Sequence, residues 1–208
     1  MEIVENLTIL GQGTQKFVYE HPSDFDKVIK IMKPINATHD GGRANQHYLR
    51  SHRSQGIYRQ FRRELLQYLQ LCKNTYNQKV FTFPIETVYG FIPTDQGLGL
   101  VTEKIISPNG LPISLNELSQ KKMLEDKHIE ALKVFFDKCC EMHIVFGEVN
   151  IAGIMYTEQR QGVPEFVLVD GIGEKLIIPF RAMSKTVNTR NIKKVEKTIH
   201  NQINLNMT

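Results

Sequence analysis

At 208 residues the chain is long enough for one sizeable domain or two small subdomains, and 41% apolar with 23% charged residues is an ordinary globular composition that excludes a disordered chain. Its 26 basic against 22 acidic residues give a formal charge of +4, which suits a phosphate-bearing ligand but falls short of the dense positive field of a dedicated nucleic-acid binder. Cys72, Cys139 and Cys140 lack zinc-type spacing, no apolar run reaches the roughly 20 residues that span a bilayer, and the first ten residues lack a basic signal-peptide region, so a soluble cytoplasmic protein with reduced thiols is expected.

Three short strands open the chain, at Leu7 to Leu10, Phe17 to Tyr19 and Val28 to Met32, with His21, Pro22, Ser23 and Asp24 supplying turn chemistry. Residues 34–56 then read as a long loop carrying His39, Arg43, His47, Arg50, His52 and Arg53, with Arg59 just beyond, a candidate receptor for an anion. Phe61, Leu65, Leu69 and Cys72 recur at helical spacing, widened by Leu66 and Tyr68, and predict an amphipathic helix. Val80 to Gly90 and Leu98 to Ile106 predict a hairpin turning over residues 93–97. Ser114 and Glu117 form a capping-box pair at the start of a short helix. Ile129, Leu132, Phe136, Cys139 and His143 then share one face of a longer helix, which puts Cys139 in the core and Cys140 nearer the surface. Short strands at Gly153 to Tyr156 and Phe166 to Val169 precede a basic terminal helix with an apolar stripe of Ile192, Val195, Ile199 and Ile203. The order predicts an α+β chain, β-rich through residue 105 and mainly helical over 106–208.

Four features carry chemistry in one order. Gly11-Gln12-Gly13 sits in a turn between strands, where glycines let backbone N–H groups approach phosphate oxygens. Lys30 lies on the third strand, flanked by Ile29 and Ile31, which lays its stem along a core and leaves an ammonium able to act as a point charge. Glu64 lies on the following helix and could pair with Lys30. Asp170, at the end of an apolar strand and followed by Gly171, is placed to hold Mg²⁺, which prefers one or two carboxylates plus phosphates. Each alone is common: a hairpin tip, an outward strand lysine, a solvated helix glutamate and a strand end all look like this. Their succession carries the signal.

That succession resembles the protein-kinase signature set. More narrowly, Gly11-Gln12-Gly13, Tyr19-Glu20-His21-Pro22, Lys30, Arg62-Arg63-Glu64-Leu65 and Asp170-Gly171-Ile172-Gly173-Glu174 resemble the YrbL family, a bacterial group of the PhoP regulatory network, over about residues 7–185. The resemblance implies a protein-kinase-like two-lobed fold, with a β-rich N-lobe, a reduced helical C-lobe and a cleft between them for ATP and Mg²⁺. It implies that Gly11, Gly13 and Lys16 cover the phosphates, Lys16 standing where a third glycine is usual. Lys30 would contact the α- and β-phosphates, oriented by Glu64. Thr102 would stand at the mouth of the adenine pocket, with Glu103 to Ile105 offering backbone hydrogen bonds to the base, and Asp170 would bind the metal.

The catalytic loop departs from the kinase pattern, in which an aspartate orients the acceptor and an asparagine binds metal. The equivalent stretch is Phe146 to Gly153, so Glu148 replaces the aspartate and Gly153 the asparagine, while Asn150 could supply a metal ligand from another angle. Glutamate keeps the carboxylate but adds a methylene, and a misplacement of about 1 Å can cost about 10²-fold. With 38 residues after Asp170, a small-molecule or envelope-sugar acceptor is expected rather than a docked protein. The alternative is a catalytically impaired pseudokinase that binds nucleotide and acts through a regulatory protein partner. Nucleic acid is not an expected partner: the basic residues, including Lys193, Lys194 and Lys197, are scattered and no reader motif is present.

Overall fold

The computed structural model describes residues 2–44, 55–175 and 178–207. His47, Arg50, His52 and Arg53 of the basic loop lie outside them. The chain is mixed α+β and divides into two compact units, one of residues 1–65 with 87–104 and one of residues 66–86 with 105–208.

In the first unit, β1 (Ile9–Gln12), β2 (Lys16–Glu20), β3 (Lys27–Met32), β4 (Val88–Thr94) and β5 (Gly97–Glu103) form an antiparallel sheet in the order β1-β2-β3-β5-β4. Central β3 is rich in β-branched residues and buried on both faces, as its near-continuous apolar run requires. Ile29 and Ile31 pack with Val4, Tyr19 and Val101 on one face. On the other, Met32 and Leu100 pack with Ile57 and Phe61. The hairpin turn is tighter than the sequence predicts: Thr94 pairs with Gly97, leaving only Asp95 and Gln96 between them, with Gly97 at φ +109°. Residues 80–87 lie outside β4, although Ile85 bridges to Leu168. The described start of the basic loop is structured, with a single helical turn at Pro34–Asn36 and an Ala37–Arg43 bridge.

Helix α1 (Arg59–Asn74) begins in the first unit and continues into the second. Its buried line is Phe61, Glu64, Gln67 and Leu71, whereas Leu66 and Leu69 are about half exposed. The apolar stripe read from the sequence is therefore rotated. Two polar residues occupy the inner face because each has a partner there: Glu64 bonds Lys16, and Gln67 Oε1 accepts the Val145 N–H at 3.1 Å.

The second unit is built on α2 (Leu115–Gln120), α3 (Asp126–Glu141), α4 (Phe180–Met183), α5 (Lys185–Met207) and the ribbon β6 (Ile154–Thr157) with β7 (Glu165–Leu168). Phe135, Phe136, Phe146, Phe166, Ile192, Ile199 and Ile203 meet in its core. The capping box at α2 forms as the sequence predicts: Glu117 N–H donates to Ser114 Oγ at 3.2 Å, and Ser114 N–H donates to Glu117 Oε2 at 2.9 Å. Cys139 is buried and Cys140 partly so, again as the pattern implies. On α3 the inner face carries His128 rather than Ile129, because the His128 ring packs on Tyr156 at 4.5 Å and its Nδ1 accepts the Glu125 N–H at 2.9 Å, closing the helix start. His143 falls past the helix end, in the left-handed region at φ +56°. Among the described residues no helix is long and apolar enough to cross a membrane.

Candidate functional site

Antiparallel register fixes which side chains share a face, since paired residues and their i±2 neighbours point the same way. Gly11 pairs with Val18, Val18 with Lys30, and Val28 with Thr102, while Lys16 pairs with Met32. Gly11, Lys16, Val18, Val28, Lys30 and Thr102 therefore lie on one face of the first unit's sheet. Both lysines are buried, Lys16 at 5% exposure and Lys30 at 3%. Thr102 is fully buried, and its Oγ1 has no hydrogen-bond partner among the described residues.

The turn that leads into β2 is closed by the Gly13 N–H donating to the Lys16 carbonyl at 2.9 Å. Neither Gly11 nor Gly13 has a positive φ, and a methyl built on either meets nothing within 4 Å. The fold itself would accept alanine at both positions.

The structure corrects one assignment. Among the described residues the ion-pair partner of Glu64 is Lys16, with Nζ 3.1 Å from Oε1, and not Lys30. Gln60 Nε2 donates to the same oxygen at 3.1 Å, and Glu64 Oε2 has no hydrogen-bond partner among the described residues. Lys16 reaches the carboxylate because it starts β2 on the side facing α1. Glu103 is held by Thr87: its Oε2 accepts the Thr87 N–H at 3.1 Å and hydroxyl at 2.9 Å, and its own N–H donates to the Thr87 carbonyl at 3.0 Å. Ile105, 5% exposed, belongs to the second unit. Arg43 of the basic loop donates to Gln15 Oε1 at 2.6 Å.

In the second unit the loop at residues 146–153 is laced to the strand end at Asp170. Gly147 N–H donates to the Gly171 carbonyl at 2.6 Å, Gly173 N–H to the Val145 carbonyl at 2.8 Å, and Val169 N–H to the Gly153 carbonyl at 2.9 Å. Here the glycines are structural. A methyl on Gly171, which has φ +78°, would lie 2.5 Å from the Glu148 carbonyl oxygen, and one on Gly147 would lie 2.7 Å from that of Gly173. Asp170 Oδ1 accepts the Gly171 N–H at 2.7 Å. Glu148 is ion-paired through Oε1 to Lys175, and both side chains are about half exposed.

Asn150 caps the helical turn Ile151–Gly153, its Oδ1 accepting the N–H groups of Ala152 at 2.9 Å and Gly153 at 3.0 Å. An amide oxygen has two lone pairs and both are engaged, so the ligand role expected of Asn150 conflicts with its capping role. Gly153, where kinases carry asparagine, has Asp170 Cβ only 3.3 Å from the place its own Cβ would take. No group of three or more His, Cys, Asp or Glu side chains placed to hold a metal occurs among the described residues.

Sequence reasoning missed Val18 and Val28, which period-2 alternation from Lys16 and Lys30 would have put on the same face. It also missed Arg181. This residue pairs with Glu174 and donates from Nη1 to the Phe146 carbonyl at 2.7 Å, tying the 170–174 segment to the 146–153 loop. No spacing signal marks it, because its partners are a distant backbone oxygen and a carboxylate seven residues away. The family model of the PhoP regulatory network protein YrbL matches residues 3–204. No curated protein matches the chain.

Proposed function

Since the chain belongs to the family of the PhoP regulatory network protein YrbL, we propose that it is a nucleotide-binding regulatory protein on a protein-kinase-like fold, with ATP as ligand and Mg²⁺ as its metal. The observation that carries this reading is the shared sheet face: Gly11, which the fold does not require as a glycine, two buried lysines, and beyond them Val18, Val28 and the Thr102 hydroxyl, which has no hydrogen-bond partner among the described residues, with Gly13 in the adjoining turn. Apolar side chains with a few convergent polar groups are what a purine site needs, and ammonium groups beside a glycine backbone that permits close approach suit phosphates. Lys16 and Lys30 serve the phosphates, and Val18 and Val28 the base. Asp170 supplies the carboxylate for Mg²⁺, the rest of whose coordination comes from phosphate and water. Mg²⁺ would screen phosphate charge. Asn150 stays a cap.

Isothermal titration of the full chain with ATP, ADP and adenosine, with and without Mg²⁺, tests the reading. A ligand at 100 times its Kd stabilises the fold by about 2.7 kcal/mol, so a thermal shift should accompany binding. Absence of both heat and shift with every nucleotide would refute it.

A second reading, phosphoryl transfer to a small-molecule or sugar acceptor with Glu148 as base, is favoured by one observation. The Glu148 backbone is pressed against Gly171, which fixes it beside Asp170. Its carboxylate must first leave Lys175. Labelled ATP with a metabolite extract checks this reading; ATP turnover unchanged in Glu148→Gln would reject the base assignment.

A further inference from the structure

We propose that Lys16, not Lys30, is the lysine that the buried carboxylate Glu64 presents to the nucleotide's phosphates, making Lys16 a phosphate-binding residue and Glu64 its positioning residue. The inference rests on the nucleotide reading above and assigns within it a division of labour that the sequence order does not suggest.

Three observations converge. The first is the pairing: Lys16 Nζ lies 3.1 Å from Glu64 Oε1, and that oxygen also accepts a hydrogen bond from Gln60 Nε2. The carboxylate is thus held by two donors, and it fixes the ammonium in turn. The second is burial. The side chains of the pair are 6% and 0% exposed. A buried ion pair loses hydration that its Coulomb attraction barely recovers, and well-packed apolar residues of similar size are often at least as stable. Stability alone therefore does not explain a lysine at the first position of β2, where a packing side chain would serve. The third is place. Lys16 is the residue that closes the glycine turn, its carbonyl accepting the Gly13 N–H at 2.9 Å. An anion resting on the open backbone of Gly11 and Gly13 lies within one side-chain length of it.

Lys30 shares the face, two strand positions along and one strand over. Two lysines on one face offer two cationic groups to a ligand with more than one anionic group. A di- or triphosphate is the class that fits, in preference to a monophosphate.

The test measures Kd for ATP, AMP and adenosine by titration calorimetry on the full chain, as wild type and as Lys16→Met, Lys30→Met and Glu64→Gln. The expected result for Lys16→Met is an ATP affinity reduced at least tenfold and an adenosine affinity within twofold of wild type. Glu64→Gln should shift ATP in the same sense and spare adenosine. Lys16→Met strands a buried carboxylate and can unfold the unit, so the double variant Lys16→Met/Glu64→Gln, which removes both charges, provides the same comparison in a folded protein. Circular dichroism confirms the fold. Wild-type ATP affinity in both Lys16 variants, with loss confined to Lys30→Met, overturns the inference and leaves the nucleotide reading intact. Equal losses for ATP and adenosine mean a merely structural lysine and overturn it too. A wild-type chain that binds neither ligand overturns the nucleotide reading itself.

Discussion

The two sets of glycines should respond oppositely to the same substitution. Gly171→Ala adds a methyl in the left-handed region, at φ +78°, where an L-residue costs about 1–2 kcal/mol. That methyl would also stand 2.5 Å from the Glu148 carbonyl oxygen and 2.8 Å from the Val149 nitrogen. These are backbone atoms that no rotamer change can clear, so an overpacking cost of about 1–3 kcal/mol adds to the first. At about 2–4 °C per kcal/mol for a chain of this size, Tm should fall by roughly 4 °C or more. Gly11→Ala and Gly13→Ala meet no atom within 4 Å and no left-handed backbone. By restricting the unfolded chain they should change stability by no more than about 1 kcal/mol, in the stabilising direction. Their effect should fall on the ligand, with ATP binding weakened about tenfold by a methyl in the path of its phosphates. Differential scanning fluorimetry with ATP titration reads both quantities. A Gly13→Ala protein that melts as low as Gly171→Ala would show that the fold needs that glycine, and the assignment to a ligand would fail.

Burial holds the His128 imidazole below its ordinary pKa, and its neutral Nδ1 accepts the Glu125 N–H. Its contribution to stability is therefore complete above the unfolded value near 6.5 and is lost as pH falls through the lower folded value. Urea midpoints between pH 7 and pH 5 should drop more for wild type than for His128→Gln, which keeps an acceptor but cannot titrate. Asp170→Asn should abolish the Mg²⁺ dependence of ATP binding seen by calorimetry, whereas Asn150→Ala should preserve it while costing about 1 kcal/mol through loss of the cap. Burial pushes the Cys139 thiol well above its ordinary range, so a thiol reagent should label Cys72 and Cys140 in the native protein and reach Cys139 only on unfolding.

Periodicity located β2, β3, β5, the long helices and the α2 capping box, because each is written in neighbouring residues, while it began the strand before β5 at residue 80 where β4 is Val88–Thr94. It misjudged faces wherever a polar residue had turned inward. On α1 the apolar count favoured Leu66 and Leu69, and the actual inner line contains Glu64 and Gln67, whose partners are Lys16 and the Val145 backbone. On α3 the same thing happened with Ile129 and His128. A partnered polar group outcompetes an aliphatic one for the interior when the partner is supplied from far along the chain, and a local pattern cannot see that partner. The site followed the same rule. Residue order suggested Lys30 as the partner of Glu64, and the bond between Glu64 and Lys16 was not legible in it.

A glycine-rich turn ending in lysine reads, by sequence order, as an imperfect phosphate loop: Lys16 replaces a residue whose value lies in having no side chain. Register reverses the judgement. The first residue of β2 faces α1 on the same side of the sheet as Gly11, and its ammonium is held there by Glu64. The same geometry adds a buried cation to that face. In the second unit, Asn150 gives its oxygen to a cap and Gly153 leaves no donor beside Asp170, so metal coordination from the protein is thin there. On the proposed nucleotide reading, a chain with few metal ligands and a second buried lysine would rely on ammonium groups for phosphate charge. Such a site should hold ATP with a weaker dependence on Mg²⁺ concentration than one that binds two metal ions, since ammonium groups fixed by the fold need no free cation to complete them.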